Sequence, residues 1–228
     1  RILAVDLPSG VDCDTGAVDP LCVPAAVTVA LAHSKVGLHT LPAARYCGRI
    51  EVADIGIPAA VSEDLPYELM TDAWAHSSLP PRPLEANKGT FGKVLVVAGS
   101  VNYIGAAYLA AVGAGRVGAG LVTLACARSI YPILAAKLVE STFLTLPDHE
   151  GLLSAEAAHP LLEALGQGYN ALLVGPGLGQ GAYVRAFVRQ LLPALPAQGP
   201  TGVCLRAVVI DADGLNALVG HVDILKNV

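Results

Sequence analysis

The sequence contains few charged and few aromatic side chains. Of its 228 residues, 14% are charged and 5% are aromatic, and the formal net charge is −5. Proteins that bind nucleic acids use basic patches to neutralise phosphates and aromatic rings to stack on bases. Because the composition supplies little of either, we expect no nucleic-acid partner.

Cysteine is also sparse, and its spacing is not that of a metal site. The chain has five cysteines, an odd number, and no Cys-x-x-Cys pair. This pattern does not fit a disulfide scaffold or a structural zinc site. It is typical of a reducing compartment, and we predict a cytoplasmic location. The five residues are Cys13, Cys22, Cys47, Cys126 and Cys204.

One long run without charges, from Val94 to Gly115, has the length of a membrane span. Glycine, serine and asparagine interrupt its middle, which is unfavourable for a spanning helix. We interpret the run as a short strand from Val94 to Ala98, a turn, and a helix from about Ile104. The sequence therefore predicts no membrane span here.

Short apolar runs alternate with Ala- and Leu-rich segments of helical spacing. Buried strands that alternate with helices are typical of a parallel sheet covered on both faces, so we predict the α/β fold class. The strand candidates are ILAVD, VTVALA, RIEVADIGIP, KVLVVAGS, GLVTLAC, ALLVGPG and AVVIDADG, and the helix candidates are GAAYLAAVGAGRVGAG, SAEAAHPLLEALGQG and AYVRAFVRQLLPAL.

The composition changes between Pro58 and Lys88, where prolines and charges become frequent. We predict a linker from Pro58 to about Pro66. The following stretch, TDAWAHSSLPP, is typical of a short helix that Thr71 caps and that two prolines end. We expect this helix to open a second structural unit.

The segment AVDLPSGVDCDTG, from Ala4 to Gly16, is the first candidate site. Its apolar strand delivers Asp6 to the carboxyl end of a sheet, where α/β proteins bind ligands. Asp6 could accept a hydrogen bond from a ligand hydroxyl or act as a base, and the Ser9 hydroxyl could bind a cation. The alternative is an Asx-type turn in which these side chains bind backbone N–H groups. The local sequence leaves both alternatives open.

The segment HSKVGL follows the next strand candidate. Lys35 could approach an anionic ligand, although a solvated surface lysine is the commoner case. His33 and His39 lie near it in sequence but share no third ligand, so we expect no metal site there.

The segment LLVGPGLGQG places Gly175, Gly177 and Gly179 directly after an apolar strand. A tight turn requires fewer glycines, and we therefore favour a loop whose backbone contacts a ligand. Gly105 and Ala106 open a predicted helix, where a ligand could approach the backbone N–H groups. Ordinary packing is the alternative at that helix start.

The segment AVVIDADGLNAL again delivers carboxylates, Asp211 and Asp213, to the end of a strand. Paired carboxylates in this position can hold Mg²⁺ or orient a phosphate. The alternative is that Asp213 caps a helix predicted from about Leu215.

Taken in order, these segments resemble the bifunctional NAD(P)H-hydrate repair enzymes, in which an epimerase domain is fused to an ADP- or ATP-dependent dehydratase domain. VDLPSGVDCDTG, VTVALAHSKVGL and GRIEVADIGIP are similar to the end of the epimerase domain. LPPRPLEANKGTFGKVLVVAGSVNYIGAA, RVGAGLVTLA, LLVGPGLG and VVIDADGLNAL are similar to the first half of the dehydratase domain. The resemblance implies the C-terminal part of a Rossmann-like epimerase domain, with a linker, at residues 1–65. It implies the N-terminal half of a ribokinase-like three-layer α/β domain at residues 66–228.

The resemblance also implies roles for particular residues. Asp6 matches a residue that contacts hydrated NADH or NADPH in the epimerase, and Ser9 matches a ligand of its potassium ion. Ala106 and Gly177 match residues that contact the same substrate in the dehydratase. The implied ligands are hydrated NADH or NADPH, K⁺, and ADP or ATP with Mg²⁺, and we expect a homo-oligomer.

Arg1 lies inside an apolar run and the chain stops without a helix cap, so we expect an interior fragment. The resemblance implies that the epimerase phosphate loop precedes Arg1 and that the catalytic aspartate of the dehydratase follows Val228. The catalytic residues of this chain are therefore unknown, and we expect the chain alone to catalyse neither reaction.

Two other functions stay open at this point. One is a different ribokinase-like kinase that phosphorylates a vitamin or a sugar, although the VDLPSG segment argues against it. The other is a non-catalytic NAD-binding or scaffold protein. A Gly-Thr-Gly-Asp segment in the complete gene would favour the dehydratase over this second alternative.

Overall fold

The computed structural model describes residues 1–195 and 205–227, and Cys204 lies outside them. The chain forms two compact units, which divide between Pro81 and Arg82. The predicted domain division near residue 65 stays a prediction. Each unit is α/β and is built on a parallel sheet, which confirms the predicted fold class.

The first unit has a three-stranded parallel sheet in the order β1-β2-β3. Its small core contains Ala30 from β2, Leu38 from α1 and Cys47, all fully buried. β1 is largely exposed. The elements are β1 (Leu3–Val5), β2 (Val27–Leu31), α1 (Val36–His39), β3 (Arg49–Ala53) and α2 (Asp72–Ser78).

Helix α2 begins where the sequence predicts. Thr71 is in an extended conformation, and its hydroxyl accepts a hydrogen bond from the backbone N–H of Trp74 at 3.1 Å. This is the N-cap arrangement, which satisfies a donor that the helix itself leaves free. The predicted cap is confirmed, but α2 lies in the first unit rather than opening the second.

The second unit is larger and has a five-stranded parallel sheet in the order β10-β9-β4-β5-β6. An antiparallel pair, β7 and β8, lies outside that sheet. The strands are β4 (Lys93–Val97), β5 (Leu121–Ala127), β6 (Thr142–Leu146), β7 (Asp148–His149), β8 (Leu152–Leu153), β9 (Ala171–Val174) and β10 (Ala207–Ile210).

The helices of the second unit have the small-residue and amphipathic patterns that the sequence shows. In α6, Val184, Phe187, Val188 and Leu191 are buried, which is the i, i+3, i+4, i+7 spacing of one helix face. Helix α3 ends at Gly118 in a left-handed conformation. The helices are α3 (Ile104–Val117), α4 (Tyr131–Ala135), α5 (Ala158–Leu165), α6 (Ala182–Leu191) and α7 (Asp213–Asn216).

The predicted strands are confirmed, and so is the division of the uncharged run into β4, a turn and α3. The sequence reading did not include β6 or the β7–β8 pair. β6, with the sequence TFLTL, is only partly buried and therefore lacks the continuous apolar run that marks the other strands. Within residues 1–195 and 205–227, no helix combines the length and the apolar character needed to span a bilayer.

The order of the sheet places a topological switch point beside β4. From β4 the chain proceeds to β5 and β6 on one side, and it later adds β9 and β10 on the other side. Loops that leave the carboxyl ends of neighbouring strands diverge at such a point, and α/β proteins bind ligands there. A ligand-binding site is therefore expected at the loops that follow β4 and β9.

Candidate functional site

The loops after β4 and β9 are joined by hydrogen bonds. The Gly99 N–H donates to the Pro176 carbonyl at 2.8 Å, and the Ser100 hydroxyl donates to the Gly177 carbonyl at the same distance. Ser100 is fully buried. The glycine loop, residues 175–179, is thus fixed against the segment that leads into α3.

Gly177 and Ala106 lie in contact at this junction. A Cβ added to Gly177 would lie 2.6 Å from the Ala106 Cβ and 2.8 Å from the Tyr103 Cβ. Gly177 also has a φ of +65°, a left-handed conformation that side chains disfavour. The packing of the protein itself therefore requires glycine here, whether or not a ligand approaches. Contact with a substrate stays a prediction for both residues.

Different contacts explain why glycine occupies the other two positions of the loop. A Cβ at Gly175 would lie 1.8 Å from the Asp211 carbonyl oxygen, so the turn after β10 packs directly on this residue. Gly179 is buried and has a φ of +89°. Its N–H donates to the Asp213 carboxylate at 2.8 Å. Each glycine of the alternating pattern thus permits one close contact or one left-handed turn.

The two carboxylates of the Asp211–Asp213 pair have different surroundings. Asp213 is buried, and its two carboxylate oxygens accept hydrogen bonds from Gly179 and Asn216. Its side chain does not cap α7, whose N-cap residue is Ala212. Asp211 is exposed. Asp213 therefore joins the turn after β10 to the glycine loop.

The junction is open to solvent in part. Ala106 and Gly177 are both partly exposed, so a ligand can reach them. A cavity of about 50 Å³ lies at the far end of the loop and is lined by Gly179, Arg185 and Asp213, among others. This volume suits one or two water molecules rather than a nicotinamide ring. A ring in contact with Ala106 and Gly177 would therefore lie outside this cavity.

In the first unit, Asp6 follows β1 with a φ of +68°. Its carboxylate accepts hydrogen bonds from the Leu31 N–H at 3.0 Å and from the Lys35 ammonium group, with which it also forms an ion pair. The hydrogen bond from Lys35, followed by that from Leu31, lowers the pKa of Asp6 below its ordinary value. Asp6 is therefore a carboxylate that stays ionised.

Lys35 links Asp6 to a neighbouring cavity. Its ammonium group also donates to the Leu31 carbonyl at 3.0 Å, so both partners lie at the carboxyl ends of β1 and β2. Lys35 lines a cavity of about 480 Å³, together with Cys13, His33 and Tyr67 among others. Lys35 is neither a solvated surface lysine nor an unpaired cation available to an anionic ligand, because its charge is already paired with Asp6.

Ser9 lies beside a different cavity, of about 370 Å³, which the exposed side chains of β1 also line. Ser9 is exposed, and its hydroxyl has no hydrogen bond with any residue that the structure describes. Nearby, Asp12 accepts hydrogen bonds from the Asp14 and Thr15 N–H groups and the Thr15 hydroxyl. Asp12 therefore forms an Asx-type turn.

The histidines near Lys35 do not form a metal site with the described acidic and cysteine side chains. Across residues 1–195 and 205–227, no cluster of three or more His, Cys, Asp or Glu side chains has a metal-binding arrangement. His39 instead shares a hydrogen bond with the Ser34 hydroxyl at 2.6 Å.

A family model described as NAD(P)H-hydrate dehydratase matches residues 94–227, which is more than half of the chain. The chain belongs to the NAD(P)H-hydrate dehydratase family. A second model, described as YjeF-related protein N-terminus, matches residues 1–37. The resemblance stated from the sequence is confirmed by these two matches.

Curated members related to this family include longer bifunctional proteins. The bifunctional NAD(P)H-hydrate repair enzyme of Moorella thermoacetica is 42% identical over 226 residues, which are 98% of this chain and 41% of that protein. The enzyme of the same description from Salinibacter ruber is 37% identical over 232 residues, 99% of this chain and 41% of that protein. The chain thus spans about two fifths of the length of these relatives.

A solved structure supports the fold of this family member. A ribokinase-like superfamily protein from Enterococcus faecalis is similar over 62% of this chain and 44% of that chain, with a TM-score of 0.50 and 22% identity. At this identity the likeness shows the fold alone. The predicted ribokinase-like architecture is confirmed.

Sequence reasoning missed two contacts of this family member. The Lys35–Asp6 pair joins residues 29 positions apart, and the Asp213–Gly179 hydrogen bond joins residues 34 positions apart. Each of these four residues could be identified individually as a candidate in the sequence, but no local spacing indicates which of them form contacts with each other. Only the strand order, which places their loops side by side, could have suggested the pairing.

Proposed function

We propose that this chain is part of a bifunctional enzyme that repairs hydrated NADH and NADPH. Its first unit contributes to an epimerase, and its second unit contributes to an ADP- or ATP-dependent dehydratase. The observation that carries the proposal is the order of the two family matches, 1–37 and then 94–227, in a chain that aligns over almost its whole length with bifunctional relatives.

For the second unit, we propose that hydrated NADH or NADPH lies against Ala106 and Gly177. Their contact at the switch point supports this, because backbone without large side chains lies there at the carboxyl edge of the sheet. Binding of the ring at an open edge leaves its hydroxyl accessible to a second substrate. The same two residues then set how closely the ring approaches the protein.

The proposed dehydration uses a nucleotide because hydroxide is a poor leaving group. A phosphoryl group passes from ATP or ADP to the hydroxyl oxygen on the ring, and the hydroxyl proton is released. The C–O bond then breaks, phosphate leaves, and loss of a proton from the adjacent carbon restores the double bond of NADH or NADPH. Catalysis of the transfer would depend mainly on positioning and on electrostatic stabilisation of the phosphoryl oxygens.

We propose Mg²⁺ as the ion that accompanies the nucleotide. Asp213 uses each of its carboxylate oxygens to accept a hydrogen bond from an N–H donor, so direct binding of Mg²⁺ there would compete with these contacts. Asp211 is exposed and supplies a single carboxylate. The described residues thus fit a magnesium ion that arrives bound to phosphates better than one held by a protein cage.

For the first unit, we propose that Asp6 contacts the hydrated ring. Its carboxylate stays ionised beside Lys35, so it can accept a hydrogen bond from the ring hydroxyl. We also propose that Ser9 is a potassium ligand. Its hydroxyl oxygen is the type of donor that K⁺ takes, and no described residue occupies it. We further propose that the protein is a homo-oligomer in the cytoplasm.

The test is a repair assay on the protein made from its complete gene. Hydrated NADH is separated into its two epimers, and each is incubated with ATP or with ADP in the presence of Mg²⁺ and K⁺. We expect recovery of absorbance at 340 nm, the ordinary signal of NADH, from both epimers. If neither epimer is consumed, the proposed function is wrong. If only one is consumed, the epimerase half of the proposal is wrong.

A further inference from the structure

Asp213 is a buried carboxylate that the proposed chemistry does not use. Its side chain lies at the turn between β10 and α7, and the residue is 9% exposed. One oxygen accepts the Gly179 N–H at 2.8 Å, and the other accepts the Asn216 side-chain amide at 3.1 Å. Burial of a charged group is costly unless hydrogen bonds compensate for it, and these two bonds do so for Asp213.

The glycine loop is held differently at its two ends. At its start, the Gly175 N–H donates to the Val97 carbonyl at 3.1 Å, and Gly99 and Ser100 bind the next two carbonyls. At its end, the N–H of Gly179 donates to Asp213. The start is therefore fixed by β4 and the segment after it, and the end is fixed by the turn after β10.

That turn has an unusual backbone. Ala212, between the two aspartates, has a φ of +45°, which costs free energy for a residue with a side chain. Such a conformation persists only when its surroundings impose it. The close packing of Gly175 on the Asp211 carbonyl and the bond from Gly179 to Asp213 are two contacts that do so.

We propose that Asp213 is a positioning residue of the dehydratase substrate site, which holds the glycine loop so that the backbone of Gly177 stays against Ala106. The inference rests on the proposed function for its substrate, but the loop contact itself does not. Asp213 acts through Gly179 and does not contact the ring. Its charge strengthens the hydrogen bond, because a carboxylate is a better acceptor than a neutral oxygen.

Two substitutions distinguish the effect of the hydrogen bond to Gly179 from the effect of the negative charge on Asp213. In Asp213→Ala the buried Gly179 N–H loses its acceptor, whereas in Asp213→Asn an amide oxygen can still accept it. Loss of a hydrogen bond to a charged group corresponds to roughly tenfold or more. We therefore expect Asp213→Ala to raise the KM for hydrated NADH about tenfold with a smaller change in kcat, and Asp213→Asn to raise it about threefold or less.

A matched control affects the segment that follows α7 and leaves the turn before α7, which contacts the glycine loop, unchanged. The Arg189 guanidinium donates to the Ala217 carbonyl at 2.7 Å and thus holds the segment after α7 on α6. Arg189→Ala should lower the thermal midpoint but leave KM close to that of the wild type. An equal rise in KM in Arg189→Ala and Asp213→Ala would overturn the proposal, because KM would then follow general stability.

A second measurement does not require activity. Amide hydrogen exchange at Gly179, followed by NMR in the complete protein, should be about tenfold faster in Asp213→Ala or, if that variant does not fold, measurably faster in Asp213→Asn. Unchanged amide exchange at Gly179 in a folded variant would contradict the proposal. If the wild-type protein has no repair activity but amide exchange at Gly179 is still faster in the Asp213 variants, the proposed function is wrong and the loop contact is right.

Discussion

Contacts within the protein explain the identity of some residues in the glycine loop. Gly177 shows this directly, since a side chain there would overlap Ala106 and would have to adopt a left-handed φ. A residue whose identity is explained by packing can still contact a substrate. Helix α3, which contains Ala106, offers a glycine without such constraints.

We expect Gly177→Ala to lower the free energy of unfolding by about 1–3 kcal/mol, through overlap and backbone strain. Gly113 lies on the exposed side of α3, and a Cβ added there meets nothing within 4 Å. Gly113→Ala should therefore raise the free energy of unfolding by about 0.5–1 kcal/mol. Urea denaturation measures both. Equal behaviour of the two variants would contradict the packing argument.

The ion pair of Asp6 with Lys35 predicts a pH dependence. The pKa of Asp6 is lowered in the folded protein, so its contribution to stability is present above the unfolded value of about 3.9 and is lost as the pH falls through the lowered value. Lys35→Met should raise the pKa of Asp6 toward its ordinary value and weaken this acid sensitivity.

A carboxyl NMR titration of Asp6 measures the effect. Lys93→Met is the control, because Lys93 is exposed at the start of β4 and no ion pair of its side chain occurs among the described residues. It should leave the titration of Asp6 unchanged. A pKa of Asp6 that does not respond to Lys35→Met would show that the pair is weak in solution.

Whole elements were more predictable than the contacts between them. Strands such as β5 and β9 follow from continuous apolar runs, and α6 follows from its buried face at helical spacing. β6 did not, because half-buried polar positions interrupt its pattern. The contact of Gly177 with Ala106 depends on β9 being added beside β4, which no local pattern specifies.

Helix α2 allows a test at the level of an element. It has no buried residue, so its cap contributes much of its local stability. Thr71→Ala removes the acceptor of the Trp74 N–H and should cost about 1 kcal/mol locally, which corresponds to roughly fivefold faster amide exchange at Trp74. Thr71→Ser keeps the hydroxyl and should restore slow exchange. Trp74 is the only tryptophan, so its fluorescence offers a second readout.

At the scale of the whole molecule, two compact units each bury their own set of apolar residues. The core of the second unit includes Cys126 on β5, which is fully buried. Burial raises the pKa of its thiol to about 12. Because the thiolate is the reactive form, Cys126 is protected from alkylation both by its lack of solvent access and by protonation of its thiol.

Alkylation of Cys126 should therefore report unfolding of its unit. With iodoacetamide at neutral pH, we expect the native protein to be modified at the partly exposed Cys13 and not at Cys126. The modification of Cys126 should rise with urea in parallel with the loss of circular dichroism. Mass spectrometry of the two peptides gives both rates, and similar native rates would contradict the packing of β5.

The strand order of the second unit also has a consequence for its synthesis. β4 is made early, yet Val97 pairs with Val174, 77 residues further along. At about 5–20 residues per second, a ribosome needs roughly 4–15 s to add them. During that interval the edge of β4 that later pairs with β9 has no partner, and unpaired strand edges of this kind are where aggregation can begin.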